Sequence, residues 1–388
     1  MKRNRIIFAI LWITSLVGIS FFGGPVSYGF FAALTFLPLV SLAYLGFVFF
    51  FFRIYQELDG KRLVANHTVP FYFTLINEYH FGFCGIRVRF FSSFSTISGL
   101  DDGVEYELLP GTGITKQTNL VCKYRGEYEV GIKSVEIQDY FRLLHLSYHN
   151  KETLRVIVKP NLVKLSDLKC MDLSQTMARE TMVNPTEADV LVREYEPGDD
   201  VRQMNWKASA RSGRLLIRKR VGEEKEGVYI LLGTNRCSSE QKEYLPVENK
   251  MLEVTLALAM FFAEKNIQTN LCYEAGGIVE RGVSNLEQFD AFYENVCGIS
   301  FQEDVTEQDF LAQAAMRPEI FRCKTMFLVL HEWTEAALQM LHLLRENNVF
   351  AITCLIRDEI PEDLPGAKMP GMELVRIGTE DDLTEVAL

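Results

Sequence analysis

Two long apolar runs lie close together near the start of the chain, and they constrain it more than any other feature. Ile6 to Phe22 carries no charged side chain, and Phe30 to Phe52 carries none either. A bilayer core of roughly 30 Å is spanned by about 20 apolar residues in a helix. The spacing predicts helices over 6–22 and 30–52, with the short uncharged link "GGPVSYG" turning them into a hairpin. A second long run directly after the first acts as a stop-transfer pattern, which separates this arrangement from a cleaved signal peptide. Lys2, Arg3 and Arg5 precede the first run, and Arg53, Lys61 and Arg62 follow the second. Cationic flanks mark the cytoplasmic side. The expected topology is therefore two-pass at the cell membrane, with both termini in the cytoplasm; the competing one places the bulk outside.

The net charge is −11, and it is unevenly spread. Six of the 40 Lys and Arg, and two of the 51 Asp and Glu, lie up to Arg62, which leaves −15 on the remainder. Phosphate attraction needs a cationic surface, so no nucleic-acid partner is expected. Eight cysteines are scattered (Cys84, Cys122, Cys170, Cys237, Cys272, Cys297, Cys323, Cys354), with no CxxC pair and no zinc-type spacing. They read as reduced thiols, mostly in apolar strand-like runs.

Beyond the hairpin (1–62), the pattern divides into three parts. Over 63–152, alternation with period two recurs in Val69, Phe71, Phe73, Leu75; in Ile86, Val88, Phe90; in Val104, Tyr106, Leu108; and in Leu120, Cys122, Tyr124. Breaks fall about every ten residues, the signature of an antiparallel β-sandwich. Over 153–227 a strand-like "LRVIVKP" leads into a polar stretch and a dense charged block. Over 228–388 apolar strands ("VYILLG", "TMFLVLH", "VFAITCLI") alternate with amphipathic helices, one of them capped at its start by Thr334. That alternation predicts an α/β domain with a mostly parallel sheet covered on both faces.

The charged block "REYEPGDDVRQMNWKASARSGRLLIRK" combines turn chemistry with clustered cations. Pro197 presets φ, Gly198 permits a conformation closed to other residues, and Asp199 and Asp200 can accept from nearby amides. Arg193, Arg202, Lys207, Arg211, Arg214 and Arg218 surround the two carboxylates, and arginine can hold a carboxylate with two parallel bonds. Trp206 can pack under the turn or offer its face to a guanidinium. An internal charge network and a docking surface for an acidic partner are both consistent with these residue types. Catalysis by Asp199 and Asp200 is disfavoured, because no nucleophile or histidine lies near and the cations keep both ionised.

Arg193, Tyr195, Pro197, Gly198, Asp199, Arg202, Trp206, Ala210, Arg211 and Leu215 match the signature of the family called domain of unknown function fifty-eight, which the chain therefore resembles. Upstream, that family closes its β domain on Arg-Gly-x-Tyr and then Asp-Pro-Phe-Gly-Leu. Here Arg125, Gly126 and Tyr128 stand first, followed by Asp139 to Leu143 without the Pro and the second Gly. The resemblance implies a multidomain chain: a transmembrane hairpin, an all-β sandwich-like domain and an α/β domain similar to von Willebrand factor A. It implies a tethered cytoplasmic scaffold, encoded beside a MoxR-type AAA+ ATPase and often a transglutaminase-like membrane protein, acting in envelope assembly or stress handling.

Von Willebrand factor A domains often bind a divalent cation through Asp-x-Ser-x-Ser after the first strand, because Mg²⁺ wants oxygen ligands in near-octahedral order. The corresponding positions here are Gly233, Asn235 and Cys237, with Arg236 adding positive charge. No metal and no other cofactor is expected. The six histidines form no HExxH pair, and there is no Walker A loop, GxGxxG or GxSxG. The leading expectation is a non-enzymatic scaffold or adaptor that binds protein partners. An enzyme using the Arg/Asp/Trp block on an anionic substrate is one alternative. A structural subunit packing through Gly18, Gly23, Gly24 and Gly29 of the hairpin is another.

Overall fold

The computed structural model describes residues 2–99, 104–166, 168, 190–195, 204–220, 227–304, 306–358 and 372–384. The chain divides into two compact units, Met1–Asn161 and Leu162–Leu388.

The first unit opens with α1 (Lys2–Phe22) and α2 (Pro25–Phe51), both long and apolar enough to cross a membrane. They run as a hairpin, and Trp12 Nε1 donates to Thr35 Oγ1 across it at 3.1 Å. The helices begin earlier than expected. Pro25 sits in the first turn of α2, where a missing N–H costs nothing, so the link shrinks to Gly23 and Gly24. Both glycines have positive φ (54° and 103°), the left-handed region that a side chain resists.

Eleven strands follow: β1 (Arg53–Leu58), β2 (Arg62–Val64), β3 (Thr68–Asn77), β4 (Phe83–Phe90), β5 (Ser95–Ser98), β6 (Glu105–Leu108), β7 (Thr112–Cys122), β8 (Gly126–Val130), β9 (Ile132–Gln138), β10 (His145–His149) and β11 (Leu154–Lys159). They form sheets of order β1-β3-β7-β5, β10-β9-β4-β6 and β2-β11-β8. Every pairing is antiparallel except β2 with β11. The alternation read from the sequence is the inward face: Phe71, Phe73, Leu75, Ile86, Val88, Tyr106, Leu108, Leu120 and Cys122 are buried together. Val104 is an exception and is exposed.

Both expected edges of this domain move outward. β1 pairs with β3 and begins one residue after α2 ends, so the β structure starts at Arg53 rather than Leu63. β11 was expected to belong to the connecting region. It pairs with β8 and β2 instead, because Val156 and Val158 need the sandwich core to be buried.

The last three turns of α2 belong to this core as well. Leu45, Val48 and Phe52 are buried among the strand residues, and Phe47 and Phe51 pack on Tyr79. Ser41 Oγ donates to Asp139 Oδ2 at 3.0 Å, with both residues buried. Asp139 opens the segment that resembles Asp-Pro-Phe-Gly-Leu. Its other oxygen accepts from Leu144 N at 2.7 Å, and Oδ2 also accepts from Phe141 N. Arg142, which stands where that pattern has its second Gly, still adopts positive φ (54°). The turn is therefore kept without the glycine that would ease it.

In the second unit, β12 (Val190–Glu194) pairs antiparallel with β13 (Leu216–Arg220), and a short helix α3 (Trp206–Ser212) lies between them in sequence. The remainder is a six-stranded sheet. Its strands are β14 (Val228–Leu232), β15 (Thr269–Glu274), β16 (Ile278–Val283), β17 (Thr325–Leu330), β18 (Phe350–Ile356) and β19 (Met372–Ile377), in the order β16-β15-β14-β17-β18-β19. Only β16 is antiparallel to its neighbour. Helices α4 (Gln241–Glu264), α5 (Leu286–Cys297), α6 (Glu307–Ala315) and α7 (Glu335–Glu346) cover it. Ile230, Leu232, Phe327 and Val329 pack with Leu252, Leu256, Ala259 and Phe262 of α4 on one face. Tyr229, Leu231, Met326 and Leu328 pack with Phe310 of α6 and Met340 and Leu344 of α7 on the other. The Thr334 hydroxyl caps α7 by accepting from Ala337 N, as expected.

If α2 completes the sandwich core, Leu45→Ala costs about 2–5 kcal/mol of unfolding free energy. Leu42→Ala, on the exposed side of the same helix, changes it by roughly 0.5 kcal/mol or less. Denaturant titration of the detergent-solubilised protein checks both; equal effects would show that the helix is not part of the core.

Candidate functional site

Two places hold the residues that the sequence singles out. The first is the charged block. Pro197, Gly198, Asp199, Asp200 and Arg202 lie outside the described residues. What is described is a β-strand, a helix of about two turns and a returning strand. Arg193 lies in β12, paired with Ile217 of β13. Tyr195 N donates to Leu215 O and Asn205 N to Leu216 O, so the segments on either side of α3 are tied to the hairpin. Asn205 caps α3 by accepting from Ala208 N, and Gly213 ends it in the left-handed conformation. Ser209 is buried against β13, its Oγ accepting from Leu216 N at 2.8 Å.

This fastening leaves the rest of α3 in solvent. Trp206 is 63% exposed, and Lys207 and Arg211 are exposed as well. Lys207 and Arg211 are four residues apart and share a helix face. Arg214 pairs with Glu194 at the surface.

The second place is the carboxyl end of the central strands. The sheet order has the first strand in the middle, with later strands added on either side. In such sheets ligands bind where the order reverses, here between β14 and β17. The loops at that point are Gly233–Cys237 and His331–Glu332. The crevice is filled from within. Glu307, the first residue of α6, is buried there. Its Oε1 accepts from His331 N at 3.0 Å and lies 2.8 Å from His331 Nδ1, while Oε2 accepts from Glu332 N at 3.2 Å. A Cβ on Gly233 would lie 2.7 Å from the same Oε1. Gly233 is therefore glycine because the Glu307 carboxylate occupies the space a side chain would need.

The neighbours are also engaged. Asn235 Nδ2 is 3.4 Å from His331 Nε2. Arg236 Nε donates to the buried Glu248 carboxylate at 2.8 Å and stacks over Tyr244 at 3.9 Å. Burial pushes the Cys237 thiol up, and Glu248, Glu243 and Glu332 add to it, so it stays protonated at neutral pH. A Mg²⁺ of the von Willebrand type does not fit this set. Gly233 brings no ligand, the Glu307 oxygens are spent on two amides and an imidazole, and Asn235 and Cys237 replace hydroxyls. Among the described residues no group of three or more His, Cys, Asp or Glu is placed to hold a metal.

The sequence gives Glu307 no signal. It reads as an ordinary acidic residue in the first turn of a Thr-capped helix, and its tie to Gly233 is visible only in three dimensions. The neighbouring Glu332 takes part through its backbone, donating its N–H to Glu307. Cys122, Cys272, Cys323 and Cys354 are buried, Cys84 and Cys297 are partly buried, and Cys237 is exposed.

Burial works against a charged His331, but the Glu307 carboxylate outweighs it and holds the ring above its ordinary 6.5. A raised folded value means the stabilisation is complete below pH 6.5 and fades as pH rises through the folded value. The unfolding midpoint should therefore fall with pH above neutrality, and His331→Gln should remove that slope. A slope that survives the substitution would assign it to other groups. Gly233→Asp should destabilise the protein by about 2–4 kcal/mol, because it sets a second carboxylate against a buried one. Thermal melts with and without Mg²⁺ check this; rescue of the variant by Mg²⁺ would mean that the site still accepts a cation.

Residues 191–280 match the family model described as protein of unknown function DUF58. No curated protein matches the chain. Among solved structures, an enzyme described as AvmM, which catalyses macrocyclization in alchivemycin A biosynthesis, is similar at 11% identity and TM-score 0.20, over 29% of this chain and 92% of that one. A lipoprotein from Bacteroides thetaiotaomicron is similar at 19% identity and TM-score 0.16, over 26% and 82%. A GH20 exo β-N-acetylglucosaminidase from Vibrio harveyi is similar at 7% identity and TM-score 0.17, over 79% and 57%. Likeness at these scores assigns neither fold nor chemistry. The segment that this family model matches, from residue 191 to 280, holds the β12–α3–β13 block, the strand β14 and the Gly233 loop.

Proposed function

We propose that the chain is a membrane-tethered cytoplasmic adaptor with no catalytic activity of its own, which docks protein partners through α3. The observation that carries this reading is the exposed Trp206, at the start of a short helix that also exposes Lys207 and Arg211. A flat aromatic flanked by cations suits a partner surface rich in Asp and Glu, since Trp and Arg are the residue types that dominate interface energy. The closed crevice at Gly233 and Glu307 supports the non-enzymatic part, because it takes up the place where a sheet of this order usually holds a ligand.

The α/β unit is von Willebrand factor A-like in this reading. Its strand order, antiparallel edge strand and helices on both faces support the likeness. The cations at the open end of the hairpin and the uncharged glycine turn at the other support a topology with both termini in the cytoplasm. The partner favoured by the family resemblance is a MoxR-type AAA+ ATPase, with a transglutaminase-like membrane protein beside it, in envelope assembly or stress handling. Tethering raises the effective concentration of a weak partner at the membrane.

The test is affinity purification of the full-length protein from detergent extracts, comparing wild type with Trp206→Ala/Arg211→Ala. An anchor of this kind is worth about 2 kcal/mol or more, so an AAA+ ATPase that co-purifies with wild type should fall by roughly thirtyfold. Undiminished recovery with the folded double variant would sink the docking role of α3.

A further inference from the structure

We infer that the β unit is seated on the lipid surface itself, with Phe81, Leu109, Tyr140 and Phe141 reaching into the interfacial zone of the bilayer. This rests on the reading of α1 and α2 as membrane-spanning. It goes beyond that reading by assigning the bilayer as the binding partner of three loops of the sandwich.

The loops in question join β3 to β4, β6 to β7 and β9 to β10. Two of them touch the hairpin, at the level where α1 begins, and the β6–β7 loop adjoins the β3–β4 loop through the bond from Gly111 N to Tyr79 O. Asn4 Nδ2 donates to Phe141 O at 3.0 Å, and Arg5 Nε donates to Leu143 O at 2.7 Å. Tyr44 OH donates to Gly82 O at 3.2 Å and accepts from Cys84 N at 3.0 Å. The rings of Tyr44 and Tyr140 lie 5.0 Å apart, and those of Phe47 and Phe81 5.8 Å apart. Each loop is therefore held beside the helices by hydrogen bonds or ring contacts, or is adjacent to a loop that is.

Among the side chains these loops show to solvent are four large apolar ones. Phe81 is 66% exposed, Leu109 70%, Tyr140 62% and Phe141 53%. Four large apolar side chains at loop tips are a cost to a domain standing in water, and none in a membrane interface, where aromatic residues are enriched. No flexible connection lifts the unit away, because only Phe52 separates α2 from β1. The arms are also short. Ile6 to Phe22 and Pro25 to Ser41 each rise about 25 Å, against a hydrocarbon core of roughly 30 Å. A hairpin of that length draws whatever is fixed at its open end towards the lipid.

The charges at this end are mixed. Lys2, Arg3, Arg5 and Arg142 are accompanied by Glu78, Glu105 and Glu107 in this unit, and Arg142 is paired with Glu105. Seating therefore depends on apolar insertion rather than on anionic headgroups, and a neutral phosphatidylcholine bilayer is a sufficient partner.

The experiment uses full-length protein reconstituted alone into phosphatidylcholine vesicles, with and without lipid brominated near the headgroup end of the acyl chains. Three tryptophans are native: Trp12, Trp206 and Trp333. One variant keeps only Trp12. Phe81→Trp, Phe141→Trp and His67→Trp are each made with all three native tryptophans replaced by phenylalanine. His67 is exposed at the other end of β3, about 30 Å along the strand from the Phe81 loop. Phe81→Trp and Phe141→Trp should lose roughly half of their emission or more in brominated lipid, as an interfacial ring does, and His67→Trp should be unaffected. If Trp12 is quenched while Phe81→Trp and Phe141→Trp behave like His67→Trp, the hairpin spans the bilayer and the seat is refuted. If Trp12 is not quenched either, the membrane reading fails and the seat fails with it. Quenching that requires anionic lipid would overturn the neutral, apolar mode of seating.

Discussion

A single buried carboxylate organises the meeting of helix and sandwich. Asp139 is almost wholly shielded from water and accepts from Leu144 N, Phe141 N and the Ser41 hydroxyl. An unpaired carboxylate in such a place is strongly disfavoured. Here two of the donors shape its own loop and the third reaches across to α2. The loop that Asp139 shapes is the one that presents Phe141 O and Leu143 O to the first residues of α1. The start of one helix, the docked half of the other and the position of the sandwich thus converge on one group.

A second buried carboxylate does something different in the other unit. Glu307 plugs the point where the sheet order reverses, and it is balanced by two amides and an imidazole. The plug explains three positions together: a glycine with no room for a side chain at 233, a histidine held towards its charged form at 331, and an acidic residue at the start of α6. The carboxylate thus braces the Gly233 and His331 loops against α6.

Much of this was legible in the sequence. The hairpin could be read from charge-free runs, the sandwich from alternation in segments such as Val69 to Leu75, and the α/β unit from apolar strands spaced by amphipathic helices. The errors have physical causes. Pro25 looked like part of a link because proline breaks helices, yet it starts them well. The strand 53–58 was hidden because it follows α2 after a single residue, and β11 was separated from its sheet because its partners β2 and β8 lie far back in sequence. Trp206 could not be assigned to core or surface by type, since a tryptophan serves either. Glu307 was missed because its meaning comes from a residue more than seventy positions away, and no local period reports such a contact. The turn at 197–200 was the most specific sequence signal, and it lies outside the described residues.

The fusion of α2 with the sandwich also bears on how the chain is made. Leu45, Val48 and Phe52 supply one wall of the β core, and they leave the ribosome before any strand does. A helix delivered to the bilayer first becomes a prebuilt template on which the later strands condense. The sandwich core is thus continuous with a helix apolar enough to enter a bilayer, so a defect in placing that helix is felt in the packing of the strands.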